Sequence, residues 1–426
     1  MKSLDQIAQA LQGFDPQALS VHKAQEFIQH LVQAHPAISI EEIALTQAFG
    51  RIVAEDIISP INVPAHDNSA MDGFAFDGKQ LSDTPLQLRV VGTALAGKAW
   101  QGEVKSGECV KIMTGAVMPV GLDTVVPQEL TSIRTSGDTT VVEIPTGILE
   151  SGDNRRKAGE DLQCGQPALR AGITLTPAAL GLVASLGIAS VKVFSPLRVA
   201  YFSTGDEVLS LGEAMREGAV YDSNRFTVLG LLTRMGCQVV DMGVVRDDPV
   251  LLERAFKDAS ENADVIITSG GVSVGEADFT KAMMKKLGDV AFWKIAMRPG
   301  RPMAVGRLGK CILFGLPGNP VAVMVTFLAF VKPALLQMMG GLPSTTPYLR
   351  AKSAVDLRKK PGRTEYQRGF VRTLPDGTLQ VEAAGNQGSG VLRSMVEANG
   401  LIVLHHHQSS IAAGDEVDVM MFEGVI

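Results

Sequence analysis

Cysteine is scarce in this 426-residue chain, and its four copies, Cys109, Cys164, Cys237 and Cys311, stand far apart with no C-x-x-C pair. Such spacing excludes a disulfide framework and a zinc ribbon, and it suits a reducing compartment, the cytoplasm. Lone cysteines of this kind are expected in the core. Aromatic residues make up only 5% and the net charge is −6. Stacking platforms for bases and a basic footprint are both missing, which argues against nucleic acid as a partner. No uncharged apolar run reaches the roughly 20 residues that span a bilayer. The longest, Val321 to Val331, is stopped by Lys332 and Pro333, and it reads as a buried helix with no membrane role. The opening MKSLDQIAQALQGFD carries acids early and lacks the apolar core of a secretion signal. Three of the seven histidines are consecutive, His405 to His407; on a strand they would alternate faces and could not converge on one metal ion.

What is present is a change of texture along the chain. Its length exceeds one core and implies two to four domains. Residues 1–58, with 162–195, read as an N-terminal helical and mixed unit. Short alternating runs over 59–161 read as an inserted β-rich unit. From 196 to 342 strands and helices alternate, which predicts an α/β doubly wound domain with a mostly parallel sheet. Residues 343–426 return to short strands, a C-terminal β domain. In the helix beginning DDPVLLERAFKDAS, Asp247 or Asp248 is the expected cap and Pro249 the first-turn residue.

The chemistry gathers where the α/β strands end. The successive connections are STGDE (203–207), RDD (246–248), SGGVSVGEAD (269–278), RPGRP (298–302) and LPGNP (316–320). In an open parallel sheet these loops share the carboxyl edge, where such folds bind ligands. Glycine amides at Gly270 and Gly271 and guanidiniums at Arg298 and Arg301 suit anionic oxygens. Carboxylates beside them are tolerable when a divalent cation lies between acid and phosphate. The predicted ligand is therefore an anionic, phosphate-bearing molecule with Mg²⁺. Further polar clusters lie earlier: HDNSAMDG with Asp67, Asn68, Ser69 and Asp72; MTGA with Thr114 and Gly115; and NRRKAGED, ending at Glu160 and Asp161. By composition these are turns.

Taken together, DNSAMDG, IMTGA, AGEDL, STGDE, YDSNR, VRDDP, TSGGVSVGEADFT, RPGRP, GLPGNPV, PGRTEYQRG and NQGSG resemble the molybdopterin molybdenumtransferases of MoeA type, relatives of the eukaryotic molybdenum insertases and of gephyrin's enzyme domain. The resemblance implies a central MogA-like α/β domain in an elongated, four-domain homodimer. It also implies a reaction: molybdate is inserted into adenylylated molybdopterin, with Mg²⁺-assisted cleavage of the pyrophosphate bond and release of AMP. Carried onto this chain, it places Asp72, Thr114, Asp161, Glu207, Asp247, Asp278 and Lys294 in catalysis. Asp206, Glu207, Asp247 and Asp278 are the implied Mg²⁺ ligands. Arg156, Ser203, Thr204, Gly270, Gly271, Ser273, Arg298, Arg301, Pro317, Pro320 and Ser389 are the implied substrate contacts. Molybdopterin adenylyltransferase and molybdoenzyme-maturation proteins are the implied partners. Three positions depart from the family pattern: arginines stand where its loop often carries lysines (Arg298, Arg301), and Ala322 replaces a serine. The alternatives are the adenylyltransferase itself, which resembles the α/β module alone, and a non-catalytic scaffold relative.

Overall fold

A computed structural model describes residues 3–11, 15–33, 39–272, 279–342 and 347–422. Its organising element is a six-stranded sheet built from β1 (Arg198–Thr204), β2 (Gln238–Val245), β3 (Val265–Ser269), β4 (Asp289–Lys294), β5 (Pro302–Leu308) and β6 (Cys311–Leu316). The order is β2-β1-β3-β6-β5-β4. The β1–β2, β1–β3 and β3–β6 pairings are parallel, whereas β6–β5 and β5–β4 are antiparallel. Every residue of β3 and β6 is buried, as expected of strands covered on both faces. β5 is the strand that sequence pattern did not expose. Pro302 opens it, Gly306 interrupts it, and a two-residue turn with Gly309 at φ +58° folds it onto β6. Because β5 reverses and β4 reverses again, β4 runs in the direction of β6. The loop after β4 therefore still reaches the carboxyl edge.

The six-stranded inserted sheet orders as 124–127, 73–76, 108–112, 86–94, 139–144 and 132–136. A smaller unit pairs Ile40–Ala44 with Ser190–Phe194 and Ile57–Ile58 with Pro167–Leu169, and α3 (Pro177–Ser185) packs in its core. The C-terminal strands 364–373, 379–383, 349–353, 416–421 and 400–404 close on themselves as a barrel.

Residues 3–11 and 15–33, expected to belong with 39–58, share the core cluster of the α/β unit, with Leu4, Ile7, Leu19 and Phe27 packed in it beside Val199, Ile267 and Phe314. In α2 (Val21–Gln33) the residues Val21, Ala24, Phe27, Ile28, Leu31 and Val32 recur at helical spacing and are all buried. Phe27 meets Trp293 of β4 edge to face at 4.9 Å. In α1 (Leu4–Ala10) the backbone N–H of Leu4 donates to Asp289 of β4 at 3.1 Å.

The long apolar helix spans 320–338 and is 72% buried within the protein, although its length and composition alone would suit a membrane. It is the core helix that the sequence suggested. Between Pro320–Thr326 and Lys332–Met338 it widens to a π-turn over Phe327–Val331. Pro333 has no N–H, so the Ala329 carbonyl loses its helical donor. Gln25 of α2 supplies the replacement, its Nε2 donating to that carbonyl at 3.0 Å. Gln25→Ala is expected to leave the carbonyl unpaired and cost about 1–3 kcal/mol, read as a lower midpoint in urea unfolding. An unchanged midpoint would show that the bond contributes nothing.

Candidate active site

The carboxyl edge opens into a cavity of about 920 Å³. Its floor is the ends of β1, β3 and β6, and its lining includes Ser203, Thr204, Glu207, Ser269, Gly270 and Gly271. Two further walls come from Arg298 to Pro302 and from Pro317 to Pro320. The remaining wall is supplied by the C-terminal barrel and the segment beside it, through Arg363, Gln387 and Ser389. That wall is fixed by backbone. Met297 and Arg298 pair in parallel with Thr364 and Glu365 of the barrel, and Val321 N–H donates to the Ser389 carbonyl at 3.1 Å.

Gly270 and Gly271 are required by space as well as by dihedral. Both have positive φ, +88° and +63°. A Cβ on Gly270 would fall 2.4 Å from the Thr204 carbonyl oxygen, and one on Gly271 would fall 2.5 Å from Thr280 Cβ. The loop thus presses against the Thr204 backbone and the Thr280 side chain, and the Gly270 N–H donates to the Leu316 carbonyl at 3.2 Å.

Polar groups in the walls await partners. Thr204 Oγ1, Asn224 Oδ1 and Asp222 Oδ2 are buried without a hydrogen-bond partner among the described residues. Asp222 caps α4 (Ser223–Arg234) and is 4% exposed. Burial, more than any neighbour, raises its carboxyl above the ordinary range. Arg298, Arg301 and Arg363 line the same cavity as these acceptors and Glu207, and Arg363 Nε donates to Glu365 at 2.7 Å.

Of the expected residues, the structure brings Ser203, Thr204, Glu207, Gly270, Gly271, Arg298, Arg301, Pro317, Pro320 and Ser389 to the cavity. Asp206 and Asp247 sit beside each other next to it, the Asp247 N–H donating to Asp206 Oδ1 at 3.3 Å. Asp248, not Asp247, is the cap of α5 (Pro249–Asn262), accepting from Val250 and Leu251 N–H at 2.9 Å each. Lys294 ends β4, opposite Pro302, and is not among the residues lining the cavity. Ser273 and Asp278 lie outside the described residues. Among the described residues no group of three or more His, Cys, Asp or Glu is arranged to hold a metal ion.

The earlier polar clusters meet one another on the inserted sheet. Asp72 accepts from the Thr114 backbone N–H at 2.6 Å and from its hydroxyl at 2.8 Å; these bonds, the backbone one first, hold its carboxyl below the usual range. Arg156 and Arg155 pair with Asn68 and Ser69, and Asp67 lies 3.6 Å from Arg155 Nε. Asp161 is anchored separately, its N–H donating to the Val63 carbonyl at 3.1 Å. None of these residues lines the cavity. Elsewhere, Cys109 and Cys311 are buried as expected, but Cys164 is exposed: it sits in a turn, its backbone N–H held by Asn62 Oδ1 at 2.8 Å. His405 to His407 follow the end of strand 400–404, where His405 pairs with Asp418 at 2.6 Å.

Sequence reasoning did not single out Asp222, Asn224, Ser269, Arg363 and Gln387 as site residues. The matching stretches YDSNR, PGRTEYQRG and NQGSG carried most of that signal. Asp222 also reads as an ordinary helix cap, and Arg363 reaches the cavity only through the barrel.

Fold and cavity define a multidomain α/β protein with a polar, arginine-lined cavity at the carboxyl edge of its sheet. A model of the MoeA N-terminal region (domain I and II) matches residues 19–187, a probable molybdopterin binding domain matches 200–337, and the MoeA C-terminal region (domain IV) matches 350–422. Molybdopterin molybdenumtransferase of Haemophilus influenzae is 43% identical over 91% of this chain and 95% of its own length. The Bacillus subtilis protein of the same name is 35% identical, covering 89% of each. A crystal structure of the molybdopterin biosynthesis MoeA protein from Pyrococcus horikoshii covers 95% of this chain and 99% of its own, at 30% identity and a TM-score of 0.73. The chain belongs to the molybdopterin molybdenumtransferase family, enzymes of molybdenum cofactor biosynthesis.

Gly270→Ala is expected to destabilise the protein by about 1–3 kcal/mol through backbone strain. Gly318→Ala, whose Cβ would meet nothing closer than 3.9 Å, should be silent. Equal melting temperatures for the two variants would contradict the steric account.

Proposed function

We propose that the cavity takes adenylylated molybdopterin together with molybdate, that molybdenum is placed on the pterin dithiolene, and that the pyrophosphate bond is cleaved with release of AMP. The observation that carries this reading is the gathering of Arg298, Arg301 and Arg363 with Gly270, Gly271 and Glu207 in one cavity. Guanidinium forks are complementary to tetrahedral oxyanions. Fixed before the substrate arrives, they stabilise charge on phosphate oxygens without reorganising.

Mg²⁺ fits this donor set in kind. The cation prefers oxygen and is held at phosphate sites by one or two carboxylates plus the substrate. Glu207 lines the cavity, with Asp206 and Asp247 adjoining; of the expected ligands, which include Asp278, one or two carboxylates would hold it together with the substrate's oxygens. When bound, it would neutralise phosphate charge in the anhydride. The chain's own residues bind and orient: the arginines take oxyanion oxygens, Gly270 and Gly271 admit close approach, and the barrel wall limits access from one side.

The same barrel wall, with Arg363 and Ser389, favours this reading over an adenylyltransferase, which resembles the α/β module alone. In the proposed homodimer, the Asp72–Thr114–Arg156 group of one subunit faces the cavity of its partner. A cytoplasmic location and exchange with adenylyltransferase and molybdoenzyme-maturation proteins complete the reading.

The purified protein, given adenylylated molybdopterin, Mg²⁺ and molybdate, should yield AMP and metal-loaded pterin; no AMP under those conditions would end the reading. Arg298→Ala should raise the molybdate concentration for half-maximal rate by about 10- to 100-fold, the worth of a hydrogen bond to a charged group, about 1.5–3 kcal/mol. A change in melting temperature alone would make that loop structural.

A further inference from the structure

One buried acid is joined to the cavity by hydroxyl groups and has no part in the reading above. Asp222 Oδ1 accepts from Ser203 Oγ at 2.9 Å and from the Arg225 N–H at 3.1 Å. Ser203 Oγ lies 2.9 Å from the Tyr201 hydroxyl and 3.2 Å from Ser269 Oγ; Tyr201 and Ser269 are 2.6 Å apart. Ser203, Ser269 and Asp222 all line the cavity. A continuous run of exchangeable protons therefore leads from the cavity wall to the carboxyl, whose second oxygen is buried without a partner among the described residues.

The charges around Asp222 do not commit it to the ionised state. Arg225, on α4, is spent on Asp241 of β2 through two bonds, 2.8 Å from Nε and 2.7 Å from Nη2. Burial opposes ionisation of Asp222 most strongly; the Arg225 N–H, the Ser203 hydroxyl and the Arg225 charge favour it, Asp241 opposes it, and burial prevails. Tyr201, on β1, is buried and keeps its phenol proton. Arg298, Arg301 and Arg363 line the same cavity, with Glu207, and Arg363 is paired with Glu365. A dianion entering this space shares it with these cations and with the Asp222 carboxylate. Repulsion in a desolvated site is large, and a carboxylate near a new negative charge gains proton affinity.

We propose that Asp222 takes up one proton when a tetrahedral oxyanion enters the cavity, passed through Ser269, Tyr201 and Ser203, so that oxyanion binding is proton-linked. No bond of the oxyanion breaks: buffer loses a proton, and the carboxylate becomes a neutral carboxyl. By reciprocity, protonation of Asp222 tightens oxyanion binding. The inference rests on the oxyanion reading of the cavity.

The test is isothermal titration of the full-length protein with molybdate, in buffers of different ionisation heat across the neutral range. Wild type should take up a proton on binding, with an association constant that falls as pH rises, by up to about tenfold per pH unit for one proton. Asp222→Asn keeps an acceptor for Ser203 and for the Arg225 N–H but cannot titrate. It should bind molybdate without proton uptake and with little pH dependence. Asp241→Asn removes a like charge and frees Arg225 to face Asp222, so it should move the uptake to lower pH; this variant serves if the cap substitution does not fold. Proton-free binding by wild type, uptake retained in Asp222→Asn, or an unshifted profile in Asp241→Asn would overturn the inference and leave the oxyanion reading standing. No molybdate binding by wild type would remove both.

Discussion

Everything at the cavity depends on one short segment that links two sheets. Met297 and Arg298 leave the end of β4 and add, in parallel, to Thr364 and Glu365 of the barrel. That pairing carries Arg298 to the same space as Arg363, and Val321 N–H to Ser389 brings the neighbouring loop with it. Like charges gathered this way repel one another. The arrangement is held by backbone hydrogen bonds and by the closed barrel behind it, and Glu365 offsets part of the repulsion by accepting from Arg363 Nε at 2.7 Å. Arginine adds a directional requirement that lysine would not: planar forks meet paired oxygens, whereas an ammonium meets any.

Beneath the rim, the strands are invested almost entirely in burial. β3 and β6 expose nothing, and Tyr201, Phe202, Phe256 and Phe314 lie fully inside. This rigid floor permits the unusual backbone above it. Gly270 closes on the Thr204 carbonyl, and only strands that cannot shift keep that approach from relaxing. The polar atoms left without partners at Thr204, Asn224 and Asp222 are tolerated for the same reason. They would be costly in a core; at the wall of a cavity they are positions a ligand or a proton can complete.

Much of this was legible in the residues. Pro and Gly punctuate the α/β segment, Asp248 with Pro249 announces α5, and continuous apolar runs announce β3 and β6. The loops after those strands were readable as one edge because parallel strands share an end. What escaped reading depended on distance or on ambiguity. β5 was hidden by Pro302 and Gly306, residues that usually argue against a strand. The docking of α1 and α2 on β4 and the helix 320–338 had no local signature, since an apolar helical face does not name its partner. Arg363 lies in a different sheet from the rest of the cavity, and Asp222 looked fully explained by its cap. Three turns of the inserted sheet looked unrelated by composition, yet antiparallel pairing of Asn68–Ser69 with Arg155–Arg156, and Asp72 with Thr114, joins them.

The acids beside the cavity show how register assigns different work to neighbouring residues. β1 and β2 pair in parallel up to Thr204 and Val245, so the turns that follow, at Asp206 and at Asp247–Asp248, leave the sheet at the same level. Asp248 is consumed by the first turn of α5, its carboxylate shared between two amides. Asp247 is left to meet Asp206, and Arg246 steadies the pair by donating to the Asp206 carbonyl at 3.2 Å. The closeness of Asp206 to the Asp247 backbone is imposed by the strand pairing and by a helix cap, both of which form without any ligand. The position of these acids beside the cavity is therefore a property of the folded sheet itself.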